Sequence, residues 1–361
     1  MAEARYLFVR LSALGDVLFA LEGLALLKAA RPEARVDWLV EDRAAALLEG
    51  HPWIDRLLVY PRRAFDRRLR RPWTWPSLPA LALRHLRALR ARRYDAVLDF
   101  QGNLKSAVHL RLARTGRRLG FGPPIAREGS WRVLDEALRW EGPLPHRARQ
   151  ARRLVETLCP PPHPSPPEGP LLFVREEARE AARAFLDGLP GEGPLVVLAP
   201  GTSAFAAFKR WPSERFALLA DICAREGWRA VVSTGPGEEA LHREIAARSR
   251  TQLPHWDGAR LGLPATLALL ERAAAVVAAD SGPLHMAQAL GRPAVALFGP
   301  KDPARYGPWR GRAIVLRHPV PCAPCGLRAC PAPLCVRGIP PEAVRDALRE
   351  WLFGEAAAHA S

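Results

Sequence analysis

The sequence predicts an α/β protein built from two doubly wound parallel sheets, and three observations lead to that prediction. Apolar runs alternate with amphipathic helical segments in the first half of the chain, a proline-rich stretch interrupts them, and the same alternation then starts again. A chain of 361 residues is long enough for two cores, since single cores usually stop growing near about 250–300 residues.

The predicted elements follow this alternation along the chain. In the first half we predict strands at 5–11, 34–40 and 94–100 and helices at 15–30 and 80–93. In the second half we predict strands at 194–200, 229–235, 273–280 and 294–300 and helices at 215–227, 238–249 and 341–352. Seven of the twelve residues from 159 to 170 are proline, a composition that continues neither kind of element. The predicted organisation is therefore two domains at 1–160 and 171–338, a linker at 161–170 and a C-terminal helix within 339–361.

The composition limits where such a protein acts. No run approaches the ~18 apolar residues that a membrane-spanning helix needs, and the first residues, MAEARYLFVRLSALGD, carry charges where a signal peptide would not. The sequence therefore predicts a cytoplasmic protein.

The net charge of +16 is spread unevenly. Residues 1–170 carry 30 Lys and Arg against 18 Asp and Glu, whereas residues 171–361 carry 23 against 19. The first half should therefore meet something acidic, unless the arginines only reflect coding bias. Only four of the basic residues are lysines, so Lys105 and Lys209 stand out as compact point charges in a chain dominated by arginine.

The segment AADSGPLHMAQALG, residues 278–291, marks a candidate binding site in the second half. An apolar run ends at Asp280, and a helix with His285 in its first turn begins after Ser281 and Gly282. The backbone N–H groups at such a helix start can bind an anion. The alternative is that Asp280 or Ser281 only caps the helix.

Two further turns follow predicted strands of the same sheet. One turn places Gly201, Thr202 and Ser203 directly after a strand, with Lys209 a few residues later. The other turn, STGPGEE, places Glu238 and Glu239 at a helix start. Because carboxyl ends of parallel strands meet at one sheet edge, these groups together indicate a phosphate and ribose site.

Several motifs of this chain resemble those of the family-9 glycosyltransferases, the lipopolysaccharide heptosyltransferases. They occur in the same order as in that family: LSALGDVLFALEGLALLK, YDAVLDFQGNLKS, PGT with FKRWP, STGPGEE, DSGPLHMAQALGRPAVALFGPKDP, and the CAPC segment with two later cysteines. The resemblance implies a GT-B fold, in which two Rossmann-like domains face each other across a cleft. It also implies an inverting transfer from a nucleotide sugar, typically ADP-heptose, to a lipid-linked acceptor.

The resemblance assigns roles to particular residues. The diphosphate and ribose would bind at Asp280, Ser281, Gly282 and His285, with Gly201, Thr202, Ser203 and Lys209 completing the phosphate site. The ribose carboxylate of the family corresponds to Glu239, with Glu238 as its neighbouring alternative. Asp16 corresponds to the proposed general base, although as a helix N-terminal acid it would also interact favourably with the helix dipole.

The leaving diphosphate needs positive charge or a metal ion. No Asp-X-Asp motif occurs in the sequence, so we expect no metal or other cofactor for catalysis, and stabilisation by Lys209 and His285 instead. On the acceptor side we predict Arg62, Arg63, Lys105 and Arg127 as donors to a phosphorylated glycolipid, and an anionic membrane surface as a peripheral partner.

Four cysteines lie within fourteen residues near the C-terminal end: Cys322, Cys325, Cys330 and Cys335. Their spacing fits a structural zinc ion, a pair of disulfides, or reduced thiols that only pack.

The sequence is also compatible with two other functions. A nucleotide-sugar epimerase on the same fold would explain the nucleotide site but not the basic first half. A non-catalytic module that binds nucleic acid or anionic lipid would explain the charge, but the aromatic residues are not interleaved with the arginines as a base-stacking platform requires. We therefore expect no nucleic-acid partner.

Overall fold

The computed structural model describes residues 3–159, 161–165, 167–325, 327 and 329–358, with backbone only at 204–205 and 354–358. The chain divides into two compact units, Met1–Glu168 and Gly169–Ser361. The boundary between them along the chain falls within the predicted linker. Pro166 of this linker and Pro160, the last residue of the predicted first domain, lie outside the described residues.

The first unit alternates strands and helices. Its strands are β1 (Arg5–Val9), β2 (Arg35–Glu41), β3 (Arg56–Tyr60), β4 (Arg93–Tyr94), β5 (Ala96–Asp99), β6 (Arg114–Thr115), β7 (Arg118–Phe121) and β8 (Glu136–Leu138). Its helices are α1 (Leu14–Ala30), α2 (Arg62–Leu69), α3 (Leu78–Arg90), α4 (Leu104–Leu112) and α5 (Arg147–Glu156), with 3-10 turns at Ala45–Leu47, Pro72–Ser77 and Ser130–Val133.

Six of these strands form one parallel sheet in the order β3-β2-β1-β5-β7-β8, and β4 pairs with β6. The central strands are apolar on both faces because helices cover both, as in doubly wound folds. Gly23 of α1 permits the close approach of α5, since a Cβ there would lie 3.0 Å from the Ala151 carbonyl oxygen.

The second unit repeats this plan. Its strands are β9 (Leu195–Ala199), β10 (Arg229–Thr234), β11 (His255–Asp257), β12 (Ala275–Ala279), β13 (Ala294–Leu297) and β14 (Ala313–Leu316). Its helices are α6 (Glu176–Asp187), α7 (Ser213–Arg225), α8 (Glu239–Ala246), α9 (Gly258–Arg272), α10 (Gly282–Ala289), α11 (Pro303–Tyr306), α12 (Leu334–Arg337) and α13 (Pro341–Ala358), with a 3-10 turn at Ala204–Lys209.

The second sheet is parallel in the order β11-β10-β9-β12-β13-β14, so both sheets reverse their winding beside the first strand of the unit. Ligands of open parallel sheets bind beyond the carboxyl ends of the strands at such reversal points. The predicted C-terminal helix is part of this unit, because α13 packs against α7 and Val344 and Leu348 join its core.

Among the described residues, the helices are too short or too polar to cross a lipid bilayer.

Candidate functional site

The carboxyl edge of the second sheet gathers the residues that the sequence singled out there. Thr202 and Ser203 follow β9, the Glu238 turn follows β10, and Asp280 follows β12. Strand β12 pairs with β9, and β9 pairs with β10, so these three loops are neighbours. The chain brings them together because short turns join each buried strand to the helix after it.

Lys209, Asp280 and His285 form a compact charged cluster at this edge. Lys209 Nζ lies 2.5 Å from Asp280 Oδ2, and His285 Nε2 lies 3.5 Å from Asp280 Oδ1. The exposed fractions of the three side chains are 13%, 14% and 6%. Burial alone would raise the pKa of Asp280, but the hydrogen bond from His285 and the charge of Lys209 outweigh it and lower the pKa below its ordinary value. The cluster therefore holds an ionised carboxylate that orients two nitrogen donors.

Ser281 lies at the start of α10 with extended backbone, but its hydroxyl does not cap the helix. The Oγ atom is buried and bonds to no atom of the described chain. A buried hydroxyl without a hydrogen bond costs free energy, so its position beside the N–H groups of a helix start favours a ligand that accepts hydrogen bonds.

Glu238 lies over the backbone of Gly201. A Cβ at position 201 would stand 1.9 Å from Glu238 Oε2, so any larger residue there would displace the Glu238 carboxylate. The same carboxylate accepts a hydrogen bond from the Gly235 N–H at 2.8 Å. Burial raises the pKa of Glu238, and this hydrogen bond and the charge of Arg210 only partly oppose it. Glu239 is exposed and accepts from the Gly237 N–H at 3.2 Å. Of the two carboxylates, the structure thus brings Glu238 to the predicted phosphate loop.

Arg210 is a residue of this edge that the sequence interpretation missed. Its Nε donates to Thr202 Oγ1 at 3.1 Å, and its Nη2 donates to the Thr202 carbonyl oxygen at 3.0 Å. Arg210 therefore fixes the loop that follows β9. Its place next to Lys209 was the available signal, but an arginine is unremarkable in a chain this rich in arginine.

The first unit carries its own candidate group, Asp16 in the first turn of α1. Arg10, which follows β1, places Nη2 at 2.5 Å from Asp16 Oδ2 and donates through Nη1 to the Phe100 carbonyl oxygen. Asp16 is 31% exposed, whereas Arg10 is buried. Burial lowers the pKa of Arg10, while the charge of Asp16 opposes that shift. Asp16 and Arg10 line a pocket between α1 and α5 that also includes Arg147 and Gln150.

The predicted acceptor-side residues are spread over the carboxyl edge of the first sheet. Lys105 Nζ pairs with Glu41 at 2.6 Å, and Arg62 Nε pairs with Asp66 at 3.0 Å. Arg63 is exposed, and its backbone N–H donates to Asp42. Arg127 is tied by its backbone N–H to the Gly102 carbonyl oxygen at 2.8 Å, beside the start of α4. Lys105 and Arg127 therefore lie near one helix start, and Arg62 and Arg63 lie on α2.

The cysteine segment forms none of the disulfides that its spacing allowed. All six cysteines of the chain are free thiols. Within the described ranges, no three His, Cys, Asp or Glu side chains are arranged to hold a metal ion. Cys335 is buried while Cys322 and Cys325 are exposed. Burial raises the pKa of the Cys335 thiol, and the nearby thiols of Cys322, Cys325 and Cys330 raise it further, so the four side chains lie near one another. The structure therefore speaks against the disulfides, and the structural zinc ion stays a prediction.

The comparisons with known proteins lead to one family. A model of glycosyltransferase family 9 (heptosyltransferase) matches residues 82–335. Lipopolysaccharide heptosyltransferase 1 of Pseudomonas aeruginosa is 30% identical to the chain over 331 residues, which cover 90% of this chain and 87% of that protein. Its counterpart in Escherichia coli K12 is 28% identical over 322 residues, covering 87% and 94%.

Solved structures show the same similarity. The E. coli heptosyltransferase WaaC, solved with ADP, is 26% identical with a TM-score of 0.75 and covers 96% of this chain and 99% of its own. WaaC solved with ADP-2-deoxy-2-fluoro heptose is 27% identical with a TM-score of 0.70 and has the same coverage.

Proposed function

Since this chain belongs to glycosyltransferase family 9, we propose that it transfers a heptose or related sugar from an ADP-sugar to a lipopolysaccharide-core acceptor, with inversion and with Asp16 as general base. The chain is a glycosyltransferase with the GT-B fold. The main support for a nucleotide-sugar donor is the Lys209–Asp280–His285 cluster, which lies beside the Ser281 hydroxyl that has no hydrogen bond within the described residues.

The donor diphosphate would bind at this cluster. Negative charge grows on the diphosphate as the bond to the anomeric carbon breaks, and pre-oriented donors stabilise that charge most. Lys209 supplies a positive charge, while the start of α10 and the Ser281 hydroxyl supply hydrogen bonds. The E. coli relative solved with ADP supports an adenosine nucleotide as the donor carrier. No metal ion is needed in this proposal, because protein groups supply the stabilisation.

The ribose of the donor would bind at the carboxylate of the second turn. Glu239 corresponds to the ribose carboxylate by family resemblance, but Glu238 lies beside Gly201 and the phosphate loop. We therefore assign the ribose hydroxyls to Glu238. Arg210 would hold Thr202 in place while the nucleotide binds.

Asp16 would accept the proton of the attacking acceptor hydroxyl. In an inverting transfer, the acceptor oxygen bonds to the anomeric carbon on the face opposite the diphosphate, the carbon–diphosphate bond breaks, and one carboxylate takes the proton. Asp16 is exposed enough to meet a hydroxyl, and Arg10 fixes its Oδ2 atom. The basic residues Arg62, Arg63, Lys105 and Arg127 would bind anionic groups of a phosphorylated glycolipid.

A nucleotide titration tests the proposed donor. Calorimetry of the purified chain with ADP, UDP and GDP, first without metal and then with Mg²⁺, should show binding that prefers ADP and does not require metal. A preference for UDP would contradict the ADP-sugar donor, and a strict need for Mg²⁺ would contradict stabilisation by protein groups alone. Binding that survives moderate salt would separate a nucleotide site from nucleic-acid binding, which weakens steeply with salt.

A further inference from the structure

Three large apolar side chains stand exposed where α2 leads into α3. The exposed fractions are 57% for Leu69, 76% for Trp73 and 54% for Trp75. These residues lie within seven positions of one another, and we call them the tryptophan patch. Single exposed apolar residues are ordinary, but a cluster that includes two tryptophans indicates a binding surface.

The patch is held in a fixed conformation. Trp75 Nε1 donates to the Leu69 carbonyl oxygen at 3.3 Å, which joins the tryptophan ring to the end of α2. Thr74 Oγ1 donates to the Arg68 carbonyl oxygen at 3.0 Å, and Arg68 Nε donates to Ser77 Oγ at 2.9 Å. These bonds tie the 3-10 turn at Pro72–Ser77 to α2, so the exposed rings stand on an ordered backbone rather than on a frayed loop.

Positive charge surrounds the patch. Residues 61–90 contain nine arginines and a single carboxylate, Asp66, which is paired with Arg62. Seven of these arginines are exposed: Arg63, Arg67, Arg70, Arg71, Arg84, Arg87 and Arg90. Any surface that covers the patch must therefore accept apolar rings and carry negative charge.

We propose that the tryptophan patch docks on an anionic lipid bilayer, with the rings at the headgroup level and the surrounding arginines on the lipid charges. Tryptophan is enriched at membrane interfaces, and interfacial helices combine Trp and Leu with Lys or Arg. Each arginine near an anionic leaflet adds attraction of about 1 kcal/mol. The role rests on the proposed lipid-linked acceptor, which such docking would bring to the enzyme.

A nucleic-acid surface fits these side chains less well. Trp73 and Trp75 lie two to five positions after Arg70 and Arg71, so aromatic residues do lie close to arginines here, contrary to the sequence interpretation. However, Leu69 at the same patch has no ring for a base to stack on, and the Trp75 N–H is already used within the protein.

The test is cosedimentation of the full chain with vesicles of phosphatidylcholine alone and of phosphatidylcholine mixed with phosphatidylglycerol. The wild-type chain should bind only the anionic vesicles, and less at higher salt. Two double variants, Trp73→Ala with Trp75→Ala and Arg70→Gln with Arg71→Gln, should each weaken binding by roughly tenfold or more. The control pair, Leu218→Ala with Leu334→Ala, removes side chains of similar exposure from the second unit and should bind as the wild type does.

Equal binding by both double variants and the wild type, or equal binding to both kinds of vesicle, would overturn the proposal. Binding to a single-stranded oligonucleotide that exceeds vesicle binding and is lost in the tryptophan variant would also overturn it, in favour of nucleic acid. The melting temperature of each variant checks that it folds. The assay contains no nucleotide and no acceptor. The membrane-docking proposal can therefore be wrong while the proposed sugar transfer is correct, and the transfer can be wrong while the docking is correct.

Discussion

The two units share one strand order but place charge differently at the carboxyl edges of their sheets. In the first unit, the carboxylate of Asp16 is 31% exposed and meets a single buried arginine. In the second unit, the carboxylate of Asp280 is 14% exposed and lies between Lys209 and His285. The first arrangement leaves a carboxylate within reach of a substrate hydroxyl, whereas the second uses its carboxylate to orient cationic or polar nitrogens.

This difference indicates how one scaffold would support the two roles that we propose. A parallel sheet provides the same edge in both units, with short loops and helix starts. In our proposal, the neighbours of the carboxylate decide whether it accepts a proton or orients other groups. We therefore expect substitutions of Asp16 to affect the chemical step alone, and substitutions in the second unit to affect nucleotide binding together with transfer.

The largest effect is expected for Asp16→Asn, which keeps the shape of the side chain but removes its basicity. The rate of sugar transfer at saturating donor should fall by roughly 10²–10⁴-fold, the usual contribution of a general base. Rapid-quench measurement of a single turnover checks this. A rate within a few fold of the wild-type rate would show that Asp16 is not the general base. The two sheet edges would then no longer differ in the role of their carboxylates.

Lys209→Ala should weaken both donor binding and transfer. Because a hydrogen bond to a charged group contributes about 1.5–3 kcal/mol, we expect losses of roughly ten- to a hundredfold in donor affinity. Calorimetry with ADP measures the affinity. Lys28→Ala is the control, since Lys28 belongs to the first unit and donates only to the Ala34 carbonyl oxygen in the described contacts. Equal losses in the two variants would contradict a specific role for Lys209.

A paired comparison of Glu238→Gln and Glu239→Gln tests which of the two carboxylates binds the ribose at the edge of the second sheet. Glu238→Gln should lower ADP affinity by roughly three- to tenfold, and Glu239→Gln by less than twofold, since only Glu238 lies beside Gly201. Adenosine titrations of both variants would show whether the loss concerns the nucleoside. The opposite ranking would return the ribose contact to Glu239, as the family resemblance implies.

The smallest effect concerns stability in acid, to which His85 of the first unit should contribute. Burial and the charge of neighbouring His109 lower the pKa of His85 to about 4. In the unfolded chain, His85 takes up a proton near pH 6.5, whereas the folded protein keeps it neutral down to about pH 4. The free energy of unfolding is therefore unaffected by His85 above pH 6.5 and decreases as the pH falls from 6.5 toward about 4. His85→Leu should flatten the decline of melting temperature between these limits. An unchanged decline would show that other groups cause it.

Much of the fold could be predicted from the sequence, because its central strands are buried on both faces and read as apolar runs. The strands β1, β2, β9 and β12 and the helices α1 and α7 lie within a few residues of their predicted bounds. Edge strands escaped prediction for the opposite reason. Strand β8 is largely exposed and β11 has only three residues, so neither forms a clear apolar run.

The site could be predicted only in part. Motifs placed the loop after β9 and the start of α10 at one sheet edge, which the structure confirms. They could not predict which side chains touch across that edge. The approach of Glu238 to Gly201 and the ion pair of Arg10 with Asp16 depend on the geometry of turns rather than on local composition. The spacing of the cysteines was likewise insufficient to distinguish a metal site from free thiols.

The proposal that the first unit supplies the general base and the second unit binds the nucleotide is tested most directly by an ADP titration of the Asp16→Asn protein and the wild type. Our account predicts the same dissociation constant within about twofold, since a neutral isostere in the first unit leaves the Lys209–Asp280–His285 cluster untouched. A loss of ADP affinity as large as the loss of transfer would contradict it, because Asp16 would then contribute to nucleotide binding rather than to the proton transfer.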